Sequence, residues 1–95
     1  MKIPKLTWAG RKCTVAYPRY NNNRIAIELV TARQESWAVA SVNLPNERME
    51  ETEVAIKDYS ENEGMLDALI AAGVVQAPHR FADSGYVRIP ICRLA

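Results

Sequence analysis

The sequence is poor in the residues around which catalytic and metal sites are usually built. Its 95 residues include two cysteines, one histidine and four glycines. Cys13 and Cys92 lie too far apart for a C-x-x-C redox pair or a zinc framework. His79 is a lone histidine in a predicted loop, and neither the glycine-rich phosphate-binding motifs nor a nucleophile elbow is present. We therefore expect no catalytic residues, no metal site, no cofactor and no enzymatic activity.

Long apolar stretches are also missing. No apolar run approaches the ~18 residues that are needed to span a bilayer, which argues against a membrane partner. The first five residues carry two lysines, but no apolar segment or small-residue cleavage site follows them. This start predicts no signal peptide and a cytoplasmic protein. In that compartment we expect Cys13 and Cys92 to be buried thiols rather than a disulfide.

The bulk composition is that of a folded chain. Hydrophobic residues make up 48% of the sequence and charged residues 24%, which is typical of globular proteins rather than disordered ones. A chain of 95 residues has room for one hydrophobic core, so we expect a single domain over residues 1–95.

Short alternating segments predict a sheet. Ala9-Gly10 suits the turn of a hairpin, and Pro90 should place the last strand at a sheet edge or mark a bulge. The predicted strands cover residues 5–8, 12–17, 25–30, 37–42, 54–57 and 86–94.

One helix is predicted, over about residues 60–72. Ser60 and Glu63 have the spacing of a capping box, and Gly73 is a suitable residue to end the helix. An apolar stripe at helical spacing follows the cap: Met65, Leu66, Leu69 and Ile70. Together the elements predict an α+β fold with the order β-β-β-β-β-α-β, in which the helix packs on one face of an antiparallel sheet of five to six strands.

The start of this helix also has a partial calcium-loop spacing. Asp58, Ser60 and Asn62 stand where the first three ligands of such a loop would be. Gly64 comes one position too late for the sharp turn, and Leu69 occupies the position of the bidentate glutamate. The segment is therefore interpreted as a helix cap.

Charge is distributed in three blocks. Residues 1–33 contain seven Lys or Arg and one acid, residues 34–67 contain nine acids and two basic residues, and residues 68–95 contain three Arg and one Asp. The net charge is only +1. Folding could gather the two basic ends on one face, and such a dipolar surface would steer a charged partner.

The acidic block supplies the candidate protein-binding residues Glu47, Glu50, Glu51 and Glu53. They fall in a predicted loop, where a cluster of acids is most simply a solvated surface. The same side chains would serve as a contact for another protein.

Aromatic and basic residues near the predicted strands suggest an alternative. Sheets bind single-stranded nucleic acid through aromatic side chains flanked by cations. No RNP-like aromatic sequence is present, and the chain is not basic overall. The candidate nucleic-acid-binding residues are Arg19, Tyr20, Arg24 and Trp37.

The segment IKDYSENEGM at residues 56–65, continuing as LDALIAAGV to residue 74, resembles a family of small uncharacterised bacterial proteins. Many members are carried by phages, plasmids and integrated elements. Weaker similarity covers residues 23–29, 42–45 and 85–92. The resemblance implies no activity and no catalytic residues. It implies the setting of an accessory protein that binds a host or element protein.

Three hypotheses follow. The first is a non-enzymatic protein-binding module of a phage or mobile element, which modulates or inhibits a host system through the four acids. The second is a single-stranded nucleic-acid-binding accessory protein. The third is a small ligand-binding domain with its site at residues 58–63 or at His79. Because a small sheet often leaves an edge unpaired, each hypothesis also allows a homodimer.

Overall fold

The computed structural model describes residues 3–95 as an α+β fold with two antiparallel sheets and one α-helix. The first sheet contains, in spatial order, β1 (Lys5–Trp8), β2 (Arg11–Ala16), β3 (Glu28–Val30) and β4 (Ser36–Val39). The second contains β5 (Glu53–Ala55), β6 (Arg80–Ser84) and β7 (Val87–Arg93), with β7 in the centre. A 3₁₀ turn (Ser60–Asn62) and helix α1 (Met65–Ala71) lie between β5 and β6. Met1 and Lys2, part of the basic N-terminal stretch, lie outside the described residues.

The first hairpin forms as predicted. Trp8 pairs with Arg11 across a two-residue turn, in which Ala9 and Gly10 both have positive φ, at 49° and 79°. Positive φ at both central residues is the geometry whose twist matches that of the two flanking strands.

The prediction of a single sheet is wrong, because the predicted strand 37–42 is divided between the two sheets. Only its first part pairs with β3. Ala40 then bonds to both sides: its N–H donates to Ile27 O at 2.8 Å, and its own carbonyl accepts from Lys57 N–H at 2.9 Å. Ser41 pairs with Ile56, at the end of β5. The alternation of side chains continues through such a crossing, so the sequence pattern does not reveal it.

The predicted loop between the helix and the last strand contains β6. This strand pairs with β7 through the two-residue turn at Gly85. The pairing makes β7 central rather than an edge strand, so the prediction for Pro90 is also wrong. Pro90 O accepts from Ile56 N–H at 3.0 Å, on the β5 side. In an antiparallel strand the N–H and C=O groups of one residue point to the same side. The position of the missing N–H of Pro90 therefore also faces β5, at the end of that strand.

The helix begins five residues later than predicted, and the capping box does not form. Ser60 has a φ of 55° and opens the 3₁₀ turn. Neither Ser60 nor Glu63 caps α1, whose N-cap residue is Gly64. Asp58 takes the capping role from upstream: its Oδ1 accepts the N–H of Gly64 at 3.1 Å and of Leu66 at 2.9 Å.

The C-terminal end of the helix confirms the prediction for Gly73. Its φ is 74°, its N–H donates to Ile70 O, and Val74 N–H donates to Leu69 O at 2.9 Å. These two bonds form a Schellman motif. Glycine is favoured at this position because it has no Cβ and adopts the left-handed conformation without a steric penalty. Ile70, predicted to belong to the apolar stripe, is 36% exposed.

The main core joins both sheets and the helix. Met65 and Leu69 of α1 are fully buried in it, and each contributes about 2 kcal/mol of hydrophobic free energy. Cys13 from the first sheet and Cys92 from the second are free, buried members of the same cluster. Burial raises the pKa of the Cys92 thiol to about 11. A smaller cluster lies under β6 and β7. No helix within residues 3–95 is long and apolar enough to cross a bilayer.

Candidate functional site

The acidic segment is largely neutralised inside the molecule. Glu53 is 7% exposed at the start of β5, so its interpretation as a solvated surface acid is wrong. Arg80 Nε donates to Glu53 Oε2 at 3.1 Å and Arg80 Nη1 donates to Glu47 Oε2 at 2.9 Å. His79 Nε2 lies 2.5 Å from the same Glu53 oxygen. These contacts tie the loop before β5 to the start of β6.

The Arg80 hydrogen bond is the main reason why the pKa of Glu53 falls to about 2. The backbone N–H of Glu50 and the His79 ring also lower it, while burial opposes them. All three guanidinium nitrogens of Arg80 donate hydrogen bonds within the protein. An open cleft of about 380 Å³ lies beside this cluster, and each guanidinium nitrogen of Arg80 already has an acceptor within the protein.

Two of the three C-terminal arginines, Arg80 and Arg93, pair with the acidic segment. Arg93 Nη1 donates to Glu50 Oε2 at 3.0 Å, in addition to the Arg80 pairs. Of the four predicted acidic contact residues, only Glu51 forms no ion pair within residues 3–95. Glu50 and Glu51 remain exposed, so part of the acidic surface that the sequence suggests is retained.

Three members of the predicted nucleic-acid set, Arg19, Tyr20 and Arg24, lie in one loop, where Tyr20 N–H donates to Arg24 O at 2.9 Å. Arg24 donates to the carbonyls of Leu44 at 2.5 Å and Glu47 at 2.7 Å, so its guanidinium fixes a loop. The Tyr20 hydroxyl lies 2.8 Å from Ser41 Oγ, in a half-buried position. Arg19 donates to Asn23 O at 2.9 Å, within its own loop.

Trp37, the fourth member of that set, is positioned by a β-bulge. Val30 pairs with Ser36 and Leu29 with Ala38, so Trp37 is an extra residue in β4. A bulge re-aims the side chain that it carries. The Trp37 indole N–H donates to Trp8 O at 2.8 Å, which joins the two outer strands of the first sheet.

The Arg11 guanidinium lies against the Trp37 ring, 4.9 Å from its centroid. The indole remains 40% exposed. A cation over an exposed tryptophan face is attracted by the ring quadrupole and orders both side chains. Arg11 and Trp37 come from different strands, and the sequence holds no local signal that they meet.

An open cleft of about 490 Å³ lies along β4 next to this pair, and we call it the Trp37 cleft. Its walls include the following residues: Trp8, Ser36, Trp37, Val39, Lys57 and Asn62. Val39 is 45% exposed beside it. Asn62, buried in the 3₁₀ turn, donates from Nδ2 to Val39 O at 2.7 Å. The Lys57–Glu61 ion pair forms part of its rim.

β4 is the last strand of its sheet, paired only with β3 on one side. The Trp37 cleft therefore runs along a strand edge and is lined by exposed apolar side chains. This arrangement can contact an extended chain through both backbone and side chains. Within residues 3–95 no three His, Cys, Asp or Glu side chains are grouped to hold a metal ion.

No known protein family, curated protein or solved structure matches the chain. The assignment of the candidate site therefore rests on the geometry of the Trp37 cleft and its neighbouring residues. Sequence analysis named Trp37 but missed Arg11 as its partner and Val39 as its neighbour on the strand edge. It also proposed four acids as the main contact, three of which form ion pairs in the structure.

Proposed function

We propose that this protein is a non-enzymatic protein-binding module that receives an extended segment of a partner along the free edge of β4. The observation that carries the proposal is the position of two exposed apolar side chains, Trp37 and Val39, beside a one-sided strand and an open cleft. This site replaces the acidic segment as the proposed contact.

The chemistry of a strand edge favours a polypeptide as the partner. An edge strand presents backbone N–H and C=O groups to an incoming strand, which gains main-chain hydrogen bonds. In β4 the Val39 carbonyl already accepts from Asn62, so these bonds would form at the residues before Val39. Side-chain pockets beside the edge then supply specificity. Trp37 offers a large rigid contact, and tryptophan is among the residues that most often dominate binding energy.

A single-stranded nucleic acid is the second candidate, on the strength of the Arg11–Trp37 pair. Stacking platforms for single strands usually expose several aromatic rings along one path. Here Trp8 is half-buried against the core and the Tyr20 hydroxyl is hydrogen-bonded to Ser41. A polypeptide therefore fits the site better than a polynucleotide does.

We further propose that the partner is a protein of the bacterial host or of a mobile element, as the resemblance of residues 56–74 implies. The test is a nuclease-treated pull-down from host lysate with the tagged protein, in parallel with Trp37→Ala. A partner that binds at the Trp37 cleft should be retained by the unmodified chain and reduced at least about tenfold by the variant, the loss of a central tryptophan contact.

Tyr86→Ala is the matched control. Tyr86 is a fully exposed aromatic residue in the turn of the other sheet, so its removal should leave binding unchanged. The bound partner should also slow hydrogen exchange at the amides of residues 36–39. Equal retention by Trp37→Ala and the unmodified chain would refute the proposal. Binding that disappears on nuclease treatment would favour the nucleic-acid candidate.

A further inference from the structure

We infer that the partner segment carries an acidic side chain that pairs with Arg11, an inference that rests on the proposed function. The starting observation is that Arg11 is an exposed cation with no internal carboxylate. Its guanidinium is held over Trp37. None of the ion pairs within residues 3–95 includes it.

Stacking leaves the guanidinium free to bind. A guanidinium that stacks on an aromatic face keeps its in-plane N–H donors available, and these match the two oxygens of a carboxylate. Because Trp37 is itself fixed by its hydrogen bond to Trp8 O, less side-chain freedom remains to be lost when Arg11 binds an anion.

The second arginine–aromatic pair of the protein shows the contrast. Arg88 lies 4.5 Å from the Phe81 ring centroid, in the β6–β7 hairpin. Directly opposite Arg88 in register is Asp83, the nearest carboxylate on the facing strand, although no ion pair joins the two. The residue opposite Arg11 is Trp8, which supplies none.

Among the charges near the cleft, Arg11 is the cation that stands over the Trp37 ring without a carboxylate partner in the described chain. Glu61 on the rim is paired with Lys57, and Glu28 accepts the Ser36 hydroxyl at 3.1 Å. Lys12 follows Arg11 on the exposed hairpin, whose first strand also carries Lys5. Neither lysine belongs to an ion pair in the described chain. Glu35, in the β3–β4 turn, is the opposing charge nearest in sequence to β4.

Arg80 and Arg93 pair with three of the four clustered acids. Within the described chain Arg11 stays without an ion pair over the Trp37 ring, whereas Lys5 and Lys12 line a separate cleft on the first sheet. The occupant that complements both the apolar wall and this charge is an extended segment that alternates apolar and acidic residues.

The test uses three blocked synthetic octapeptides of alternating valine with glutamate, glutamine or lysine. Each is titrated into the ¹⁵N-labelled protein at low salt, and the indole N–H signal of Trp37 and the amide signals of residues 36–39 are followed. The glutamate peptide should shift these signals at the lowest concentration and the lysine peptide at the highest. Added salt should weaken the glutamate peptide selectively, because exposed charge pairs are screened.

Arg11→Gln should weaken the glutamate peptide about three- to fivefold, the upper range for an exposed ion pair, and leave the glutamine peptide unchanged. Arg88→Gln is the matched control, since it removes the other stacked arginine and should alter neither titration. Unshifted signals in the rest of the spectrum confirm that each variant remains folded.

The outcomes separate the inference from the proposed function. Equal shifts of the β4 signals by all three peptides would refute the acidic preference and leave the protein-binding site standing. Peptides that leave the β4 signals unmoved would contradict both. A twelve-residue oligothymidylate that shifts the Trp37 indole signal while the peptides do not would assign the site to nucleic acid and also contradict both.

Discussion

The Glu53 carboxylate is the most strongly constrained charge in the protein. It is buried at the start of β5 and held by Arg80, His79 and the backbone N–H of Glu50. A buried carboxylate is tolerated when hydrogen bonds and an opposite charge replace its water. Removal of the cation would leave that charge uncompensated, so the pair is strongly coupled even where its net contribution to stability is modest.

Acid should weaken the fold through this residue. The pKa of Glu53 is about 2, against an ordinary value of 4.5. Its ionised form therefore stabilises the native state above pH 4.5, and this contribution is lost as the pH falls from about 4.5 to 2. The expected loss is on the order of 2–3 kcal/mol, measured as the free energy of urea unfolding at pH 7, 4.5 and 2.5.

Arg80→Leu should cost about 3 kcal/mol at pH 7, since it leaves a buried carboxylate unpaired. The variant should then lose less on acidification than the unmodified protein, because the pKa of Glu53 returns towards its usual range. Arg93→Leu is the control: Arg93 pairs with the exposed Glu50, so its loss should have little effect. Equal destabilisation by the two variants would contradict the assigned role of Glu53.

These residues mark a limit of sequence reasoning. Glu53 was grouped with Glu47, Glu50 and Glu51 because all four are neighbours in the chain. The distinction between them is that β5 begins at Glu53 and turns its side chain towards β6. A contact across 27 positions, between Glu53 and Arg80, has no signature in local composition.

At the scale of elements, helix α1 shows which local signals are reliable. The glycine that ends it was predicted correctly, because a positive φ is a strong and local demand. The start was predicted from a Ser60–Glu63 spacing that the chain does not use. Asp58, two residues further upstream, instead accepts the N–H groups of Gly64 and Leu66 at the start of α1, after the 3₁₀ turn.

Substitution at the two candidate caps should separate these interpretations. Asp58→Ala should cost about 1 kcal/mol, the usual effect of removing a helix cap. Ser60→Ala should change stability by no more than a few tenths of a kcal/mol, since the Ser60 side chain caps nothing. Thermal and urea unfolding measure both. A larger loss for Ser60→Ala than for Asp58→Ala would support the capping box instead.

At the scale of the whole molecule, one core spans both sheets. Cys13 and Cys92 lie in the same cluster as Met65 and Leu69 of the helix, although they belong to different sheets. The α+β class was predicted from short alternating segments and one helical stripe. The division into two sheets depends on the backbone hydrogen bonds of Ala40 at the junction. These are tertiary contacts, and the alternation of apolar and polar residues does not reveal them.

The shared core predicts that both sheets unfold together. In Cys13→Ala the remaining thiol reports on the second sheet, and in Cys92→Ala on the first. For each variant, the free energy of exposing its thiol to a disulfide reagent should equal that variant's free energy of global unfolding. If a thiol became exposed at a lower free energy than that of global unfolding, its sheet would be a separate cooperative unit.

Pro90 restricts the register in which β7 can pair with its neighbours in the second sheet. β7 pairs with β6 over five residue pairs, among them Phe81 with Pro90. In the native alignment the proline nitrogen faces the end of β5, where only one hydrogen bond is forgone. A slip of β7 by one residue would turn that nitrogen into the continuous β6 ladder and place Arg88 on the face that buries Ile89 and Ile91. One-residue misalignments of the last strand are thus disfavoured when the hairpin that completes the fold closes.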